Sequence, residues 1–381
     1  MNNFIFQNPT KLIFGEGQIA RLSKELPKDK RILVTFGGGS VKHNGVYDQV
    51  VAALSGFDFL EFWGIEPNPK VETLRKAVEV CKRENIGFLL AVGGGSVLDG
   101  TKLIAAAAVI EEDAWDLVLH PELLRGNIPF ASVMTLPATG SEMNRGCVIS
   151  NLATGEKYAF YNTYPTFSIL DPTTTFSLPT FQRACGLADT FVHVIEQYLT
   201  TTGISPLMDR WAEGIFQTIV EIAPKVLSEE NDYNTMADFM LSATMGLNGF
   251  VGMGVPQDWS THRIGHEITA LCGTTHGQTL VIVLPGVMNE LREQKASKIV
   301  QMGERVWGIT DGTIDERIDR TIAATEEFFR SLGLATRLSE LGIGEDVVEA
   351  IVARFRERGT LLGEQLNIDY KLVDAILRQR M

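Results

Sequence analysis

From Lys11 to about Thr135, short aliphatic or β-branched runs alternate with amphipathic segments. The runs RILVTF (31–36), FDFLEF (57–62), FLLAVGG (88–94) and PFASVMTLP (129–137) read as strands buried on both faces, while 45–54, 70–84 and 97–109 carry helical spacing. That alternation predicts a parallel sheet with helices on its faces. Beyond Leu178-Pro179 the period lengthens, and helices are expected over 181–200, 206–228, 234–250, 257–272, 278–294, 296–308 and 314–332, followed by a polar helical tail. The pattern therefore divides the chain into an α/β domain, 1–180, and an all-helical domain, 181–381, with no internal repeat. Phe4-Ile5-Phe6 is expected to open an N-terminal strand, which on the residues alone could be an internal edge strand.

At 381 residues and 45% hydrophobic, the chain can bury a large core. Its formal charge of −13, with no cluster of Lys and Arg, argues against a nucleic-acid partner. The longest apolar runs are broken by Gly or Pro well short of a membrane span, so no membrane association is expected. Cys81, Cys147, Cys185 and Cys272 are scattered without a CxxC, and the first residues lack the pattern of a signal peptide. A reduced, cytoplasmic protein is the expectation.

Two glycine strings change the picture. Gly37-Gly38-Gly39-Ser40 and Gly93-Gly94-Gly95-Ser96 each follow a strand-like run and precede a segment that can be helical, where bare backbone and helix N–H groups can receive a phosphate. Neither completes GxGxxG, and a single such string is as readily a tight turn; two in matching settings favour a nucleotide. NAD-selective proteins place a carboxylate near the end of the second strand, yet none lies between Arg31 and Tyr47. Gly37 to Ser40 with Lys42 nearby suit a 2′-phosphate better, which favours NADP(H). Asp99 and Lys102 follow on the first turns of the next helix, although an acid there also suits any helix. Thr135, Thr139, Gly140 and Ser141 offer hydroxyls at the C-terminal edge of the sheet, or equally an N-capping turn.

The helical half concentrates metal-ligand chemistry. Asp189 and His193 are four apart, as are His262 and His266, and His276 follows beyond Gly273. Each pair projects from one helix face, and a carboxylate among Leu187, Phe191, Val192 and Val194 requires compensation by a cation. One pair alone is as often a helix-surface contact; two pairs and a further imidazole favour a metal site with one histidine in excess. Arg263 stands where a zinc-protease helix needs Glu, so a peptidase is unsupported. Nitrogen and oxygen donors without thiolate suit Fe²⁺ or Zn²⁺ alike.

Taken together, PTKLIFGEG (9–17), GIEPNP (64–69), GGGSVLDGTK, TLPATGSE, LADTFVHVIEQY and HRIGHEITALCGTTHG resemble the iron-containing (group III) alcohol dehydrogenases over the whole chain, especially their NADP-dependent branch of butanol dehydrogenases and aldehyde reductases. The resemblance implies a Rossmann-like dinucleotide-binding domain followed by a helical metal-binding domain of the dehydroquinate synthase type. It implies one divalent ion, Fe²⁺ or Zn²⁺, held by Asp189, His193, His262 and His276, with His266 left to line the pocket near the nicotinamide. It also implies that Gly94, Gly95 and Ser96 hold the pyrophosphate, that Asp99, Thr135, Thr139 and Ser141 run along the cofactor, and that Lys157 reaches it from the following strand. The activity implied is hydride transfer between nicotinamide C4 and an aldehyde or primary alcohol whose oxygen binds the metal, in a homodimer whose N-terminal strand at Phe4-Ile5-Phe6 pairs across a two-fold axis, the internal edge strand being the alternative. A dehydroquinate synthase-type or glycerol dehydrogenase-type relative, a metal-dependent hydrolase and a non-catalytic binding module are the competing readings.

Overall fold

A computed structural model describes residues 1–201 and 205–381. The chain forms two compact units: Gln7–Pro179 with Asn231–Thr244, and Met1–Phe6 with Thr180–Glu230 and Met245–Met381.

The first unit contains β1 (Lys11–Phe14), α1 (Leu22–Glu25), β2 (Ile32–Phe36), α2 (Val46–Ala53), β3 (Phe59–Phe62), α3 (Val71–Arg83), β4 (Phe88–Gly93), α4 (Gly95–Ala107), α5 (Ala114–Leu119), β5 (Phe130–Met134), β6 (Gly146–Asn151), β7 (Glu156–Tyr161) and β8 (Phe167–Leu170). Six strands form a parallel sheet in the order β1-β8-β5-β4-β2-β3. Every residue of β2, β4, β5 and β8 is buried, as expected of a sheet covered on both faces. One face packs Leu33, Leu89 and Leu103, the other Val34, Leu90 and Val46.

Two features of this unit lie outside the sequence expectation. The strand that carries Lys157, β7, pairs with β6 in a separate antiparallel hairpin, and β8 adds a further parallel strand. Strand β6 buries alternate residues, Cys147, Ile149 and Asn151, and β7 buries only Lys157 and Phe160, so the hairpin lacks the continuous apolar run of a central strand. The Asn151 side chain accepts the N–H groups of Ala153 and Thr154 and closes the turn. The two glycine strings also differ. The second opens α4 directly at Gly95, whereas the first runs into a short 3₁₀ turn, Ser40–Lys42, and the next α-helix waits until Val46. Only the second string offers an α-helix N-terminus.

The remaining helices are α6 (Thr180–Tyr198), α7 (Pro206–Val226), α8 (Tyr233–Gly246), α9 (Ser260–Cys272), α10 (His276–Glu290), α11 (Ala296–Trp307), α12 (Ile314–Ser331), α13 (Glu345–Arg358) and α14 (Tyr370–Arg378). The expected helices over 234–250 and 257–272 shorten at facing ends, because Gly249, Gly252, Gly254 and Pro256 favour turns and Trp259 adopts a left-handed conformation just before α9. Residues Phe4–Phe6 form no strand; Asn2 N–H instead bonds the Gly254 carbonyl at 2.8 Å.

Candidate functional site

Helix α6 is buried along nearly its whole length, from Arg183 to Tyr198. That burial places Asp189 and His193, one turn apart, in the interior of the helical unit. His262 and His266 stand one turn apart on buried α9, and Gly273 ends that helix in the left-handed conformation that lets the chain restart α10 at His276.

The three elements converge on Asp189 Oδ1. The Nε2 atoms of His193, His262 and His276 lie 3.5, 3.7 and 3.7 Å from it. These separations are too long for hydrogen bonds. They match the edge of a coordination polyhedron, since ligand atoms about 2.1 Å from one ion in a tetrahedral arrangement stand about 3.4 Å apart. Asp189 Oδ1 and His262 Nε2 are buried without a hydrogen-bond partner among the described residues. A buried carboxylate oxygen and a ring nitrogen left in this state are a destabilising arrangement unless a cation completes it. The donor set therefore fits a divalent ion. His266 comes from the same helix face, with its ring centroid 5.2 Å from that of His276 and 6.3 Å from that of His262.

Around the cluster a hydrogen-bond frame orients His262 and the start of its helix. Glu196, one turn beyond His193, accepts the Thr261 N–H at 2.6 Å and bonds His262 Nδ1. Its backbone carbonyl accepts the Asp258 N–H, and the Asp258 carboxylate both receives the Ser260 N–H at the start of α9 and pairs with buried Lys295 at 2.8 Å. Burial by itself pushes the Asp189 carboxyl up, but the surrounding imidazoles outweigh it and hold the group well below the usual carboxylate range. Burial likewise disfavours the charged His262, yet the Glu196 and Asp189 carboxylates raise it to about 9. The pocket attracts positive charge. Nothing in the sequence pattern singled out Glu196, although its spacing of i+3 from His193 was the available signal.

The nucleotide-site candidates all fall in the α/β unit. Gly94 and Gly95 start α4 at the end of β4, and a Cβ at Gly95 would meet Thr139 Oγ1 at 2.5 Å, so glycine is what allows the turn to pack against the Thr139 loop. Ser96 Oγ accepts the Asn68 N–H, and the Asn68 side chain accepts from Lys157 Nζ at 2.9 Å. Asn68, in a left-handed conformation within GIEPNP, thus joins the second glycine turn to β7. It was not among the residues anticipated, because the contact forms only when β7 folds back.

Asp99 and Ser141 are turned inward. Ser141 Oγ donates to Asp99 Oδ1 and accepts from Lys102 Nζ, both at 2.7 Å, while Asp99 Oδ2 accepts the Val148 N–H. Lys102, fully buried, also donates to Asn144 Oδ1 and the Gly146 carbonyl. Burial pushes the Asp99 carboxyl up and the Lys102 ammonium down. The three donations from Nζ and the two acceptances by Asp99 are nevertheless those of a charged pair bridged by a hydroxyl. The pair ties α4 to the loop 139–146 and to the hairpin. Thr135 extends β5, its N–H bonded to the Gly93 carbonyl, and Thr139 Oγ1 accepts the Ser141 N–H. Gly37 to Ser40 stand at the end of β2 beside Gly64, whose N–H bonds the Gly37 carbonyl.

A parallel sheet with a glycine turn at its strand ends and a carboxylate ringed by imidazoles define a class: enzymes that pair a dinucleotide with a metal ion. Comparison with known proteins places the chain within it. The family described as iron-containing alcohol dehydrogenase matches residues 9–172, and its C-terminal counterpart matches 183–381. The chain belongs to the iron-containing alcohol dehydrogenase family. It is 51% identical over 374 residues, 97% of each chain, to the NADPH-dependent aldehyde reductase YqhD of Escherichia coli. It is 40% identical over 99% of each chain to a probable NADH-dependent butanol dehydrogenase of Bacillus subtilis. The crystal structure of E. coli YqhD superposes with a TM-score of 0.98 at 49% identity, covering 100% of this chain and 99% of that one. An NADH-dependent butanol dehydrogenase of Thermotoga maritima superposes with a TM-score of 0.95 at 34% identity, with the same coverage.

Proposed function

We propose that this chain is a metal-dependent NADP(H) oxidoreductase that interconverts aldehydes and primary alcohols. The observation that carries the reading is the ring of His193, His262 and His276 around the unpartnered Oδ1 of Asp189. These four residues would hold one Fe²⁺ or Zn²⁺. When bound, such an ion supplies Lewis acidity towards a carbonyl oxygen, and NADPH supplies the hydride.

The chain's own residues have separable tasks. Glu196 fixes His262 with its Nδ1 bonded and its Nε2 turned towards Asp189. His266, packed against His276, would give a proton to the substrate oxygen as hydride reaches the carbonyl carbon in reduction, and take it back from the alcohol hydroxyl in oxidation. Reduction then consumes one hydride from NADPH and one proton, yielding NADP⁺ and the alcohol. Gly94, Gly95 and Ser96 receive the pyrophosphate at the start of α4, where backbone N–H groups and the helix dipole favour an anion. Thr135, Thr139 and Lys157 line the cofactor, and Asp99 and Ser141 act through the loop they hold. Gly37, Gly38, Gly39 and Ser40 accept the adenosine end of the cofactor. Nucleotide binding is thus assigned to residues 1–180 and metal binding to 181–381.

A homodimer is supported by Phe4, Ile5 and Phe6, of which Ile5 is 98% exposed, an apolar segment that a second copy would cover. All four cysteines are free, which supports a cytoplasmic enzyme; no helix among the described residues is long and apolar enough to cross a membrane. The test is turnover: the purified protein is expected to oxidise NADPH when given butyraldehyde and to stop when a chelator strips the metal. Undiminished turnover after complete metal removal contradicts the reading.

A further inference from the structure

Beside the first glycine turn lies an aromatic cluster that none of the assignments above uses, and Lys42, which the sequence already sets beside that turn, lies over it. Phe36 ends β2, and Trp63 follows β3, where the bonds from Gly64 N–H to the Gly37 carbonyl and from Ile65 N–H to the Phe36 carbonyl hold it against the turn. The two rings stack with centroids 4.1 Å apart. Tyr47 completes the corner, its centroid 5.7 Å from Trp63. Over these rings sits exposed Lys42, its Nζ 4.0 Å from the Trp63 centroid and 5.5 Å from that of Tyr47.

The nearby carboxylate is committed elsewhere. Glu61 accepts from the Tyr47 hydroxyl at 2.9 Å and from the Trp63 indole N–H at 2.8 Å. Lys42 forms no ion pair with a carboxylate among the described residues. An exposed cation–π contact is weak enough to leave the ammonium donors available, yet it restricts the long side chain to one side of the turn. Restricting a lysine before its anion arrives reduces the entropy lost on binding.

We propose that Trp63 is a specificity-determining positioning residue: it holds Lys42, the cation expected beside the 2′-phosphate, at the first glycine turn. The inference rests on the functional reading above and deepens it: selectivity for NADP(H) arises from a lysine steadied by an aromatic corner as well as from the absence of a carboxylate at Gly37–Ser40. Glu61, held by two neutral donors, fixes the edge of the indole.

The test uses the full-length protein and two probes that differ only by the 2′-phosphate, adenosine 2′,5′-bisphosphate and 5′-AMP, titrated calorimetrically. Lys42→Met is expected to weaken the bisphosphate about tenfold, the lower range for a hydrogen bond to a charged group, and to leave 5′-AMP within about twofold. Trp63→Leu is expected to weaken the bisphosphate about threefold, as an exposed cation–π contact implies, and to have no further effect in the Lys42→Met background. Equal losses on both probes, or a Trp63→Leu loss that persists without Lys42, would show that the indole acts on the adenine and overturn the inference. If the wild type binds both probes equally but still reduces butyraldehyde with NADPH, only this inference falls. If it binds neither probe and turns over neither cofactor, the functional reading falls with it.

Discussion

The Glu196 carboxylate bonds His262 Nδ1, and that bond leaves His262 Nε2 facing Asp189 Oδ1 at 3.7 Å. A carboxylate behind a ligand histidine selects the tautomer and fixes the ring plane. Glu196→Gln keeps the shape but removes the charge, and the metal affinity is expected to fall roughly ten- to a hundredfold. Competition against a chelator of known affinity measures it. Unchanged affinity would leave Glu196 with only its bond to the Thr261 N–H.

The two histidines that follow one another around Gly273 are expected to separate in experiment. His276→Ala removes one of the three Nε2 atoms around Asp189, so stoichiometric metal should be lost together with activity. His266→Ala should retain the metal and slow turnover, by roughly a hundredfold if the imidazole transfers the proton. Metal content of the two variants by elemental analysis decides between the roles. Loss of metal from both would make His266 a ligand.

Lys102, Ser141 and Asp99 form a buried chain of two charges joined by one hydroxyl. Removing one charge strands the other, and Lys102→Met is expected to destabilise the protein by about 3–5 kcal/mol. Ser141→Ala leaves both charges with their remaining partners and should cost about 1–3 kcal/mol. Urea unfolding monitored by circular dichroism gives the order. A Ser141→Ala variant less stable than Lys102→Met would contradict it.

Much of this arrangement was legible in the chain alone, and the exceptions have a common cause. Strands such as Ile32–Phe36 and Phe88–Gly93 announce themselves because both faces are apolar. The hairpin Gly146–Tyr161 does not, since its one-sided burial mixes polar residues into a short alternating run. The four residues converging at the metal site could be picked out by helical spacing, whereas Glu196, Asn68 and Lys102 act through partners between 28 and 89 positions away. Such contacts exist only after folding. The N-terminal Phe4–Phe6 segment, strand-like in composition, forms no strand within the single chain, where it has no neighbouring edge to pair with.

Gly38 offers a test of cofactor choice that leaves the fold alone. A Cβ built there meets nothing within 4 Å, so Gly38→Asp adds a carboxylate without a steric clash. Repulsion of a 2′-phosphate should move the preference towards NADH, read as the ratio of kcat/KM for the two cofactors. An unchanged ratio would place the phosphate away from this turn.

The central claim is that the Asp189 cluster holds a metal ion that NADPH-dependent aldehyde reduction requires. Metal analysis of the freshly purified protein, with NADPH oxidation by butyraldehyde followed before and after chelation, tests it in one preparation. About one divalent ion per chain, with activity lost on its removal and restored by Fe²⁺ or Zn²⁺, is the predicted result. Full activity in protein free of metal would contradict it.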